Sequence, residues 1–185
     1  MYASPLYQDG ITVQGNGNAA NHPGDGVQSP SFQGKALGVV FAATGGGTVY
    51  AIAAQDTNGT TGIAPGTVLW KTHLGNPYGG IDGNSIGVLS TPIIDVGAGR
   101  IYVTASLTDY LLPAGNPNHG ANNWEVFALN LSDGSVAPGW PLAYTQTLLD
   151  SLNQNTLNGG NAVAFSSSGG DQRGALALSS DGSTL

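Results

Sequence analysis

Asp82-Gly83-Asn84 and Asp56-Thr57-Asn58-Gly59 each bring carboxylate and amide oxygens close together. Such oxygens are the donors that a hard cation such as Ca²⁺ takes. The twelve-residue calcium loop with its distal Glu is absent, and Glu125 is the chain's one Glu. Asp, Asn and Gly also close tight turns, and turn formation accounts for both segments. His22, His73 and His119 are the other candidate ligands, and no two are neighbours in sequence. A shared metal would require the fold to join loop histidines to His73 on a strand; solvated or capping roles account for all three. Asp95 ends an apolar run, where a carboxylate could face a ligand, but Val96-Gly97-Ala98-Gly99 after it reads as a turn that Asp95 opens. Tyr110, Asn116, Asn118, Asn122, Asn123 and Trp124 form a polar and aromatic stretch of the kind that lines sugar and peptide sites. It reads either as a ligand-facing loop or as a solvated insertion.

The elements that must position these residues come from a repeated phrase. A first pass reads Ser4-Pro5-Leu6-Tyr7, Val39-Val40-Phe41-Ala42-Ala43, Gly47-Thr48-Val49-Tyr50-Ala51-Ile52 and Gly66-Thr67-Val68-Leu69-Trp70. A second reads Thr91-Pro92-Ile93-Ile94-Asp95, Arg100-Ile101-Tyr102-Val103-Thr104, Glu125-Val126-Phe127-Ala128-Leu129 and Gly139-Trp140-Pro141-Leu142. A third begins at Arg173-Gly174-Ala175-Leu176-Ala177-Leu178. Short apolar runs separated by Gly and Pro are strands and turns, and their recurrence marks an array of sheets. The expected fold is all-β: a partial β-propeller of two four-stranded antiparallel blades plus the first strand of a third. Strands are expected near 3–8, 37–44, 47–54 and 67–73, then near 89–95, 100–106, 124–131 and 140–145. The first blade covers about 1–75, the second about 86–146, and the third begins at about 172–185 of one incomplete domain. Spacing between equivalent strands is irregular, as when loops lengthen on a fixed scaffold. A propeller ring takes about four to eight blades, so the chain reads as a piece of a longer protein.

Composition narrows the partners. Charged residues make up 8% and the net charge is −7, with Lys35, Lys71, Arg100 and Arg173 the basic residues. No basic stripe exists to neutralise phosphates, which argues against nucleic acid. No apolar run is long enough to cross a bilayer as a helix. The absence of cysteine excludes disulfides and thiolate metal sites within these residues.

Val49-Tyr50-Ala51-Ile52 followed by Trp70, and Val126-Phe127-Ala128-Leu129-Asn130 followed by Ser132-Asp133-Gly134 and Trp140, resemble the blades of pyrroloquinoline-quinone-type propellers. The chain departs from that pattern at Ala53 and Asn130, where the family has Asp after its Ala-Leu. The resemblance implies that Trp70 and Trp140 dock neighbouring blades. It also implies an exported, extracytoplasmic bacterial protein. The family's non-catalytic members imply a binding or interaction scaffold for a protein or carbohydrate partner, completed by further blades. Its quinone-dependent dehydrogenases imply an alternative: catalysis with pyrroloquinoline quinone and Ca²⁺, a vicinal cysteine pair and an Asp base. The cysteines are lacking, and no calcium ligand set is assignable in this sequence, so no cofactor is expected in this chain. A carbohydrate-active or carbohydrate-binding propeller is a third reading.

Overall fold

The computed structural model describes residues 3–15, 22–55, 59–79, 85–108, 122–144, 174–180, 182 and 185. They form two antiparallel sheets and no α-helix among the described residues. The first sheet contains β1 (Leu6–Thr12), β2 (Gly26–Val27), β3 (Ala36–Ala43), β4 (Thr48–Gln55) and β5 (Val68–His73), in the order β1-β3-β4-β5-β2. The second contains β6 (Ile93–Asp95), β7 (Arg100–Thr108), β8 (Asn122–Asn130) and β9 (Leu142–Ala143), in that order.

Period-two alternation sets which face each strand buries. In β3, Leu37, Val39, Phe41 and Ala43 are buried. The register pairs Val39 with Ala53, Phe41 with Ala51 and Ala43 with Val49, so one apolar face spans β3 and β4. In the second sheet, Ile101 lies opposite Leu129 and Val103 opposite Phe127. All of these residues belong to a single core cluster, which means that the two sheets stack face to face. Each large side chain in that layer contributes about 1.5–3 kcal/mol by leaving water.

Two seams hold the stack. At the first, the Trp70 indole lies buried on Phe41 at a centroid distance of 5.8 Å, and its N–H donates to the Leu131 carbonyl over 2.9 Å. Beside it, the Thr72 hydroxyl donates to the Gly134 carbonyl over 2.7 Å. Gly134 has φ of +74°, and a Cβ there would sit 2.5 Å from both the Trp70 ring and the Thr72 oxygen. Glycine is therefore required twice over, by its backbone angle and by the close approach. At the second seam, Gly87 N–H donates to Gly45 carbonyl over 2.8 Å, and Ser106 N–H to Gly87 carbonyl over 2.8 Å. Through these bonds the 85–90 connection ties the β3–β4 hairpin to β7.

The structure departs from the sequence expectation in several places, and the strands expected at 89–95 and 140–145 shorten to β6 and β9. The first sheet has five strands rather than four, because β2 folds back from the long segment after β1 and pairs Gly26 with Lys71 and Val27 with Trp70. The outer edge of β5 would otherwise leave those backbone groups unpaired. β1 runs on to Thr12, beyond the expected end, through a register shift between Gln8 and Ile11. The described residues after 173 make no ladder: Leu176 N–H reaches the Thr91 carbonyl at 3.4 Å, and Leu176 and Leu178 pack on a cluster of Tyr102, Ala128 and Ala137 with Ile93 and Trp140. Apolar side chains hold this segment, and no second strand lies alongside it among the described residues.

Gly134→Ala is expected to cost roughly 2–4 kcal/mol in equilibrium unfolding, from overpacking plus left-handed strain. Gly10→Ala, at φ of +71° with nothing within 4 Å of its Cβ, is expected to cost only the strain, about 1–2 kcal/mol. Equal losses for the two would show that the approach to Trp70 is loose.

Candidate functional site

The edge of the first sheet gathers polar side chains that lie far apart in sequence. β4 and β5 pair Thr48 with His73, on the sheet face turned away from the core between the sheets. The Thr48 hydroxyl and His73 Nδ1 lie 3.2 Å apart. Residues 22–25 form a turn, with Asp25 N–H donating to the His22 carbonyl over 3.1 Å. That turn delivers β2 to the edge of β5. It also delivers the Asp25 carboxylate, which accepts the His73 backbone N–H at 2.9 Å. Asp25 is buried, and a carboxylate out of water requires such donors. The Gln28 side-chain amide donates to the Gly24 and Gly26 carbonyls at 3.0 and 2.6 Å and braces the turn.

His22 then packs against His73, with ring centroids 4.6 Å apart and planes tilted by 46°. His22 Nδ1 donates to the Pro23 carbonyl at 3.1 Å, which assigns its tautomer. Lys71, two residues before His73, projects from the same face of β5 and approaches Gly24. Burial pushes the His73 pKa below its ordinary value; the neighbouring His22 adds to that shift, Asp25 opposes it, and Lys71 reinforces it.

Sequence reasoning had left His22 and His73 apart. What unites them is the return of the 22–28 segment to β5, and no local spacing signals that return. His119 lies outside the described residues. Among the described residues no three His, Cys, Asp or Glu side chains converge as a metal site. Asp25 and Asp95 each spend a carboxylate oxygen on a backbone N–H, Asp95 on that of Ala98 at 2.9 Å. Asp95 thus opens the turn its sequence implied.

The remaining candidates separate. Tyr110, Asn116 and Asn118 lie outside the described residues, as do Asp82, Asn84 and Asp56-Thr57-Asn58. Asn122 and Asn123 belong to β8 rather than to a loop. Trp124 is buried in the same strand opposite Ser106, so it offers no open platform to a ligand. Trp70 is buried at the seam between the sheets, whereas Trp140 is half-buried, with its ring 5.5 Å from that of Tyr102. The difference follows from cover: the 131–134 turn of the second sheet lies over Trp70. One motif escaped the sequence reading, Gly83-Asn84-Ser85-Ile86-Gly87, which matches the Gly-x-Ser-x-Gly of hydrolase elbows. Ser85 is exposed and bridges Gly79, and no helix follows it, so the strand–turn–helix setting of such an elbow is missing.

These features define a two-sheet, all-β protein whose most organised polar cluster is a histidine pair on a sheet edge. Comparison with family models, curated proteins and solved structures finds no match to this chain.

His73 favours its neutral form in the folded state, whereas the unfolded chain takes up the proton near the ordinary value of about 6.5. Its contribution therefore lowers stability as pH falls through that value toward the depressed native one, and is constant above it. Proton NMR titration of the imidazole is expected to place His73 below 6.5, with His22→Ala raising its midpoint and Asp25→Asn lowering it further. A midpoint that His22→Ala leaves unmoved would contradict the coupling.

Proposed function

We propose that the two sheets are consecutive blades of a quinoprotein-like β-propeller and that the molecule is a non-catalytic binding scaffold. The observation that carries this reading is the repetition of one packing relation. Strand β5 of the first sheet sends Trp70 under the second sheet, and the second sheet's far side gathers Tyr102, Trp140, Leu176 and Leu178 into a fresh apolar cluster. Stacking that begins again beyond each sheet is how radial arrays grow. Loops on such a rigid scaffold supply the contacts, with a protein or carbohydrate as partner. The segment of about 108–123 is where this reading places the ligand. Export from a bacterial cell belongs to the same proposal and rests on the resemblance alone.

This stretch of sequence lacks the vicinal cysteine pair that the quinone-dependent dehydrogenases of the resembled family carry, which supports a scaffold over that alternative. Equilibrium dialysis of the chain against pyrroloquinoline quinone with Ca²⁺ is expected to give no binding at micromolar cofactor. Saturable binding in the micromolar range or tighter would replace the scaffold with the dehydrogenase.

A further inference from the structure

The histidine cluster lies on the sheet face turned away from the core between the sheets. Its place in the fold gives it a mechanical role. β2 is only two residues long and is held to β5 by a short ladder, by Gln28 N–H donating to the Leu69 carbonyl over 2.9 Å, and by the Asp25 contact to His73 N–H. His22 opens this segment and His73 ends β5, so their ring contact closes the far end of the same short attachment.

We propose that residues 22–28 form a pH-released strap, clasped to the edge of β5 by the contact between neutral His22 and His73 rings. In the neutral state the tilted rings pack together, and the Asp25 carboxylate is the one negative charge beside them among the described residues. Lys71, on the same strand as His73, is already positive. From β4, Thr48 and Tyr50 face the cluster. From the strap itself come His22 and Asp25, and from β5 come Lys71 and His73. Protonating both rings sets three positive charges against one negative, with two of the positive charges 4.6 Å apart. The strap can relieve that repulsion by leaving, because its other attachments are few: a two-residue ladder, the Gln28 bond and the packing of Val27 against the core. The rest of the sheet cannot relieve it, since Thr48 and His73 are fixed in the β4–β5 ladder. Release bares the backbone groups of residues 69–73 as an open strand edge, the kind of edge that accepts an added strand. Burial of His73 works in the same direction, by making the neutral ring the one that fits the closed strap.

Hydrogen exchange read by mass spectrometry on the full chain at pH 7.5 and 5.5 tests this, with protection factors corrected for intrinsic exchange. The expected result is a fall of about tenfold or more in protection of 25–28 and 69–73 at pH 5.5, with β7 and β8 unchanged. His73→Gln keeps a polar group beside Thr48 and cannot charge, so its strap is expected to stay protected at pH 5.5; His22→Gln is the second variant, with the same expectation. Protection of β7 and β8 reports whether each variant has folded. The strap is overturned if wild-type protection at 25–28 is equal at both pH values. It is also overturned if the fall is shared by β7 and β8, or if it persists in both glutamine variants.

Discussion

The indole of Trp70 is the contact on which the rest of the structure turns. It begins on β5 of one sheet and ends at a backbone carbonyl beyond β8 of the other. A buried tryptophan must satisfy its N–H, and the Leu131 carbonyl does so at the point where β8 turns away. That turn has to come close, which explains why Gly134 has no side chain and why Thr72 can reach its carbonyl. Once the two sheets are held at this distance, their apolar faces close over one core, with Phe41 and Phe127 among its largest buried members. At the opposite end, backbone hydrogen bonds through Gly45 and Gly87 join the sheets, beside buried Leu74, Val88 and Leu107. Side-chain anchoring at one end and backbone knitting at the other leave little freedom for one sheet to slide on the other.

Much of this was legible in the chain. The runs at 37–44, 47–54, 67–73, 100–106 and 124–131 became β3, β4, β5, β7 and β8 within a few residues, since apolar alternation between glycines states both strand and face. β2 was illegible. Gly26-Val27 carries no periodic signal, and it is a strand only because the edge of β5 offers it partners. Trp124 shows a different failure. The sequence places it both at the start of the 124–131 strand and among ligand-facing residues; β8 bears out the strand, and burial opposite Ser106 takes the ring out of reach of a ligand.

The histidine pair was hidden for the same reason as β2. Its two members meet only after a long segment folds back, so sequence separation says nothing about them. The four positions that make the cluster, His22, Asp25, Lys71 and His73, are unremarkable singly: a loop histidine, a turn aspartate and two strand residues. Their joint meaning is electrostatic, and it depends on burial that only the folded edge supplies. The β-propeller reading and the histidine strap are independent. One concerns what stacks on the faces of the sheets and the other what covers an edge, so the failure of either leaves the other standing.

The central claim is that Trp70 makes the two sheets a single cooperative unit. Urea unfolding of Trp70→Ala, followed by hydrogen exchange in both sheets, tests it most directly. The account predicts a loss of roughly 3–5 kcal/mol, the range for truncating a buried large aromatic, with β3–β5 and β7–β8 losing protection together. A loss below about 1 kcal/mol, or weakened protection confined to β5 while β7 and β8 keep theirs, would contradict it.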